Sequence, residues 1–191
     1  MKTKRLGIFA SGTGSNALNL IRYFEGHPKI QIAFVLCNNA HAPVVDATKK
    51  LGVPVEVISN QEAALPQKLI EICKKNGADY IILAGYLRLI PGEFIQKYPE
   101  KIINVHPSLL PKFGGKGMYG RYVHEAVLEA NEVQSGISIH LVNEVYDEGR
   151  LIAQYSCDIS ENENLESLQK KIHALEMHYF PKTIESFINQ P

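Results

Sequence analysis

This sequence is short of cysteine, of net charge and of long apolar runs, and each shortage removes a class of protein. The three cysteines, Cys37, Cys73 and Cys157, are far apart and form no CxxC pair. An odd, scattered set of that kind argues against a disulfide framework and a zinc site, and for a reducing compartment. Lysines and arginines number 20, matched by 20 aspartates and glutamates. A balanced chain has neither the basic footprint of a nucleic-acid binder nor a polybasic membrane anchor. Near the start, RLGIFA is too short for a signal-peptide core and far too short to cross a bilayer. The expectation is a cytoplasmic protein without membrane or nucleic-acid partners. Internal repeats, low-complexity segments and linkers are also missing from the 191 residues, which are enough for one well-cored domain.

What is there is an alternation of short apolar runs and amphipathic stretches. LGIFA, IQIAFVLC, VPVEVI, YIILAG and KIINVH read as strands, apolar at nearly every position. Between them NALNLIRYFEG, VVDATKKLG, residues 61–76 and PGEFIQKYP read as helices, the third presenting Leu65, Leu69, Ile72 and Cys73 on one face. Strands buried on both sides and separated by helices make a mostly parallel, twisted, Rossmann-like α/β sheet covered on both faces. After His106 the pattern changes to a Gly- and Pro-punctuated loop, PSLLPKFGGKGMYG, then the short helix VHEAVLEA. GISIHLVN and GRLIAQYSCDI, joined by EVYDEG, predict an antiparallel edge hairpin. Leu165 to Ile188 predicts a long C-terminal helix with Leu165, Leu168, Ile172, Leu175 and Tyr179 inward, and a kink or break at Pro181.

Three places carry candidate chemistry. The first is SGTGSN, between a strand and a helix, where backbone N–H groups and a helix N-terminus hold phosphate well. Gly12 and Gly14 permit the tight turn, and Thr13, Ser15 and Asn16 add polar side chains, with Ser15 or Asn16 as candidate caps. A dinucleotide fingerprint is incomplete here. Its third glycine is missing, and the second strand ends in CNN rather than in an acid that would bind a ribose. No GK[ST] follows, so the P-loop is excluded. One phosphate on a smaller ligand, such as a phosphosugar, fits best. A turn that serves only the connection is the bland alternative.

The second place is INVHPSLLP. Asn104 and His106 end an apolar strand and, two apart, point to one face, with Pro107 and Pro111 restricting the backbone beyond. An amide and an imidazole side by side suit an oxygen that gains negative charge, and the imidazole also exchanges protons. The alternative is a structural histidine at a strand end. The third place, EVYDEG, supplies Glu144, Asp147 and Glu148. Asp147 is a candidate to hold the imidazole charged or to organise a water, or else merely a turn former. No Ser or Cys stands in a nucleophile elbow, so direct transfer without a covalent enzyme intermediate is expected.

SGTGSN, LAGYLRLI, INVHPSLLP and SGISIHLVNEVYDEG together resemble the phosphoribosylglycinamide formyltransferases, folate-dependent enzymes of purine synthesis, from Arg5 to about Pro181. The resemblance implies one formyltransferase domain over residues 1–191, its phosphate-binding half about 1–100 and its folate and catalytic half about 101–191. It implies attack of the glycinamide ribonucleotide amine on the formyl carbon of 10-formyltetrahydrofolate, a cosubstrate, through a tetrahedral intermediate and without a metal. Asn104, His106 and Asp147 match the catalytic trio. Gly12, Thr13, Gly14, Ser15 and Asn16 match the phosphate segment, and Glu176 a ribose contact. Leu87, Arg88, Leu89 and Ile90 match the folate pocket, with His140, Asn143 and Asp147 completing it alongside Asn104.

The sequence departs from that family in two places. KFGGKGMYGRYVHEAV is longer and richer in glycine than the loop of many members, and Arg150 stands where proline is usual. A monomer or homodimer acting on small molecules is the expected assembly. Related readings are an amino-sugar-nucleotide formyltransferase, a formyltetrahydrofolate hydrolase, or a non-catalytic folate or nucleotide sensor. A methionyl-tRNA formyltransferase would need a nucleic-acid-binding domain and a basic surface.

Overall fold

The computed structural model describes residues 3–190. Its order is β1 (Lys4–Ala10), α1 (Ser15–Tyr23), β2 (Ile30–Cys37), α2 (Pro43–Lys50), β3 (Val55–Val57), a 3₁₀ turn (Glu62–Ala64), α3 (Pro66–Lys75), β4 (Tyr80–Leu83) and α4 (Gly92–Lys97). Then follow β5 (Ile102–His106), α5 (Arg121–Glu129), β6 (Gln134–Leu141), β7 (Leu151–Asp158) and α6 (Leu165–Ile188). The strands form one seven-stranded sheet in the order β3-β2-β1-β4-β5-β6-β7. Contacts divide the chain into two compact units, Met1–Ile103 and Asn104–Pro191.

In the first unit β1 pairs in parallel with β2 and β4, and β2 with β3. Leu6 to Ala10 are all buried, as a strand covered on both faces requires. Phe9 is the hub of the apolar packing, edge-on to Tyr86 at 5.3 Å between ring centres and near Phe34 and Phe94. Phe9, Phe34 and Phe94 are wholly buried. Each such ring stabilises the unit by roughly 1.5–3 kcal/mol. This core holds the C-terminal ends of β1, β2 and β4 in register.

The helix expected over residues 61–76 is divided. Pro66 opens α3, and a residue before proline is driven out of the helical region, so Leu65 lies extended at φ −95°, ψ 107°. Leu65 is thereby 54% exposed instead of joining the buried face, while Leu69, Ile72 and Cys73 are buried as expected.

In the second unit β6 and β7 pair antiparallel, and β7 is the sheet's edge. Asn164 caps α6, its side chain accepting from the Ser167 N–H at 2.9 Å. The break expected at Pro181 does not occur, and the helix runs on to Ile188. The reason is packing. Pro181 itself is buried with Phe180, Thr183, Ile184 and Ile188, and that apolar contact outweighs the lost N–H. Tyr155 of β7 stacks on Tyr179 at 3.8 Å, and its hydroxyl hydrogen-bonds Thr183 at 3.1 Å. Along the first turns Leu168 and Ile172 are fully buried, whereas Leu165, Leu175 and Tyr179 are only partly so.

The cysteines remain free thiols. Cys37 and Cys73 are buried, Cys157 half-buried.

Candidate active site

The second unit gathers Asn104, His106, His140 and Asp147 into one hydrogen-bonded cluster. β5 ends on Asn104 and His106, β6 delivers His140, and the turn after β6 returns Asp147. That turn is locally strained, since Asp147 sits at φ 57°. Aspartate tolerates the left-handed region better than most residues, which is why a carboxylate can be aimed from such a turn.

The bonds fix which nitrogen does what. His140 Nδ1 lies 2.8 Å from the Leu141 carbonyl, which only accepts, so Nδ1 carries the proton. His140 Nε2 lies 3.1 Å from the Asn104 amide nitrogen and is shared between that amide and Asp147. His106 Nε2 donates to the Phe113 carbonyl at 2.7 Å. His106 Nδ1 faces Asp147 Oδ2 at 3.4 Å, and Asp147 Oδ1 is 3.5 Å from His140 Nε2. The Gly115 N–H donates to Asp147 Oδ2 at 2.9 Å.

Opposing forces set the charges. Burial pushes the His106 imidazole below its ordinary value, and the nearby His140 ring adds to that. Asp147, the Phe113 carbonyl and Glu176 act the other way without overcoming burial. Burial alone would raise Asp147, but the His140 ring, the His106 ring and the Gly115 N–H together hold it below the usual carboxylate range. Each partner is thus pressed toward a different proton arrangement. Asp147 stays ionised, and His106 Nδ1 is left as a site that takes up and releases a proton readily. An amide and a proton-exchanging imidazole, braced by a carboxylate, can stabilise an oxyanion and move a proton.

Glu176 lies on α6, half-buried, 3.8 Å from His173 Nδ1. Its carboxylate raises the His173 ring above its ordinary value by favouring the protonated form. Asn143 is exposed, and its side chain accepts from the Val145 N–H at 3.1 Å. The Arg150 carbonyl accepts from the Leu141 N–H at 2.9 Å, beside a register shift in the β6–β7 pairing between Ile139 and His140.

The phosphate-loop candidates lie in the first unit. Gly12, Thr13 and Ser15 are exposed at the start of α1, and Asn16 is buried. Neither Ser15 nor Asn16 caps the helix. Gly14 is the cap, at φ 79° and with no side-chain bond, because the chain passes tightly over α2 there. A Cβ on Gly14 would lie 2.2 Å from Val44 Cγ2. Glycine is required at this point by packing as well as by conformation.

The segment after β4 is also in the first unit. Leu87 and Leu89 are about half exposed while Ile90 is buried. Leu87 is anchored by its N–H donating to Ser11 Oγ at 3.0 Å, and Ser11 in turn donates to Asn38 Oδ1 at 2.6 Å. Arg88 gains its reason here. Its Nε donates to Asn60 Oδ1 at 3.0 Å, which also receives Asn38 Nδ2 at 2.8 Å. Ser11, Asn38 and Asn60 are not among the residues the sequence motifs single out, where CNN counts only against a dinucleotide site. A pair of asparagines at a strand's C-terminal end was the available signal. Phe113 and Gly115 were overlooked too, because they act through backbone groups. Among the described residues no cluster of His, Cys, Asp or Glu could hold a metal ion, and no helix is long and apolar enough to cross a membrane.

Known proteins resemble this chain over nearly its whole length. Residues 4–184 match the family described as formyl transferase. Phosphoribosylglycinamide formyltransferase of Bacillus subtilis is 34% identical over 190 residues, covering 97% of this chain and 95% of that protein. The chloroplastic enzyme of that name from Arabidopsis thaliana is 38% identical over 177 residues, 90% of this chain. The chain spans 61% of the length of that relative and 62% of the chloroplastic one from Vigna unguiculata. The crystal structure of glycinamide ribonucleotide transformylase 1 from Geobacillus kaustophilus superposes with a TM-score of 0.89 at 32% identity, over 97% of this chain and 98% of that one. By sequence and by fold alike, the chain belongs to the formyl transferase family.

Proposed function

We propose that this protein transfers the formyl group of 10-formyltetrahydrofolate to the amino group of glycinamide ribonucleotide, a step of purine biosynthesis. The observation that supports it most is the Asn104–His106–Asp147 arrangement, with His106 Nδ1 3.4 Å from an ionised carboxylate. Such a cluster suits a reaction in which an oxygen gains charge and a proton moves.

The folate supplies the formyl carbon. The residues do the rest. Asn104 donates to the carbonyl oxygen as the amine adds, and His106 stabilises the same oxygen from Nδ1. Asp147 raises the proton affinity of that nitrogen and takes a proton from the attacking amine, directly or through water, and a proton passes to the folate nitrogen as its bond to the formyl carbon breaks. The N–H groups opening α1, with Thr13, Ser15 and Asn16, bind the phosphate, because the first N–H groups of a helix lack intrahelical partners. Glu176 takes the ribose hydroxyls. Leu87 and Leu89, apolar yet exposed, fit the face of a flat ring, and Arg88 and Ile90 hold their segment in place.

The test is turnover of the purified protein with 10-formyltetrahydrofolate, with and without glycinamide ribonucleotide, followed by folate absorbance. The expected result is turnover that needs the ribonucleotide and falls by about 10²–10⁴ in His106→Ala, with folate binding retained. Folate consumption that ignores the ribonucleotide would make the protein a hydrolase. Tight folate binding with no reaction would point to another amine or to a sensor.

A further inference from the structure

The nitrogen of His106 that carries the proton is decided away from the reacting atoms, in the segment between Pro107 and Phe113. That segment is pinned by side chains with no other evident task. Ser138, on β6 and wholly buried, accepts from the Leu110 N–H at 2.9 Å and donates to the Ser108 carbonyl at 2.7 Å. Gln154 of β7 donates both to Ser138 Oγ at 2.8 Å and to the Leu110 carbonyl at 2.9 Å. Ser108, also buried, donates to the Lys112 carbonyl at 2.7 Å. The next carbonyl along, that of Phe113, receives His106 Nε2. Phe113 holds an unfavourable φ of 56°, which a free loop would relax.

We infer that Ser138 is a positioning residue for His106. Acting through Ser108 and the pinned segment, it holds the Phe113 carbonyl on Nε2, so that protons enter and leave the ring only at Nδ1, opposite Asp147. A neutral imidazole bears one proton. With Nε2–H committed to a backbone acceptor, the lone pair must lie at Nδ1. The ring becomes an imidazolium by adding a proton there and returns by losing the same one. Without the pinned carbonyl, Asp147 would draw the single proton to Nδ1, and the lone pair would turn away from the carboxylate. This assignment rests on the catalytic role proposed above for His106, but its central measurement does not.

That measurement is the long-range proton–nitrogen spectrum of ¹⁵N-histidine-labelled protein, free of substrate, with His106 assigned from the His106→Ala spectrum. Above the ring's titration, His106 is expected to show protonated Nε2 and unprotonated Nδ1. The opposite tautomer, or an even mixture, would overturn the inference whatever the acceptor amine proves to be. Ser138→Ala is expected to mix the tautomers and to lower kcat by as much as a hundredfold, with KM for both substrates within about twofold. The pH profile of kcat moves with it, because the ring then answers differently to Asp147, His140, Glu176 and His124, the titratable groups that act on it. Ser138→Thr, which keeps the hydroxyl, restores both readouts. Should Ser138→Ala fail to fold, Ser108→Ala removes a later link in the chain and carries the same expectations. An unchanged tautomer and kcat in a folded Ser108→Ala or Ser138→Ala protein would overturn the positioning role.

Discussion

Two of the loops that leave the C-terminal ends of strands in this molecule are rich in glycine, but they are built on opposite plans. The loop between β1 and α1 presses Gly14 against Val44 and leaves Gly12, Thr13 and Ser15 exposed, with no side chain capping the helix. The loop after β5 spends almost every polar group internally, on Ser108, Ser138, Gln154, His106 and Asp147. A loop that is to hold an anion must keep its donors for the ligand. A loop that is to aim a proton must have its own bonds made before the ligand arrives, since reorganisation during the reaction is costly. Glycine serves a different end in each. At Gly14 it lets two helices approach closely, and at Gly115, at φ 95°, it turns an N–H toward Asp147.

The largest effect is expected in the second loop. Asp147→Asn keeps the shape of the turn and removes the charge. Turnover is expected to fall by about a hundredfold. Because Asp147 raises the His106 proton affinity against burial, its loss lowers that affinity further, and the imidazolium-dependent limb of the kcat profile moves to lower pH. A limb that stays in place would show that Asp147 does not govern the ring.

At the first loop the expected effect is smaller and of another kind. Gly14→Ala puts a methyl group into Val44 at a left-handed φ, so stability falls by about 1–3 kcal/mol in denaturant unfolding. KM for the ribonucleotide rises while kcat is nearly kept. A variant that lost kcat alone would show that the first loop serves the chemistry rather than the binding.

The smallest effect sharpens the contrast through pH. His106 and His124 are both held below the ordinary histidine value, by burial above all. The unfolded chain then binds more protons than the folded one as pH drops below about 6.5. The stability the two rings contribute is present above that pH and is lost as pH falls through their folded values. Thermal melting is therefore expected to decline on acidification. His124 Nδ1 is buried without a partner, so His124→Phe is expected to flatten the decline at little cost. An unaltered slope would mean that His124 does not contribute.

Much of this arrangement was legible in the residues. Strand ends and helices follow from apolar periodicity, and the family-like stretches single out Asn104, His106 and Asp147, which the fold brings into one cluster. What escaped reading has physical causes. The uninterrupted α6 depends on Phe180, Ile184 and Ile188 burying themselves beyond Pro181, which local propensity does not report. Leu65 looked like a core residue by spacing, yet Pro66 reset the backbone before it. The Phe113 carbonyl and the Gly115 N–H cannot be picked out because every residue has such groups, and only the folded loop says which ones meet His106 and Asp147.

The three thiols give the fold a built-in clock. Burial pushes Cys73 up to about 12 and raises Cys37 and Cys157 above the usual thiol range, so none is much ionised at neutral pH. Alkylating reagents attack thiolates. Each cysteine should therefore react slowly until the structure around it opens, and then quickly. Cys37 and Cys73 lie in the unit that carries the loop between β1 and α1, and Cys157 in the unit that carries His106. Labelling rates read by mass spectrometry would time the opening of each half separately, without a single engineered residue.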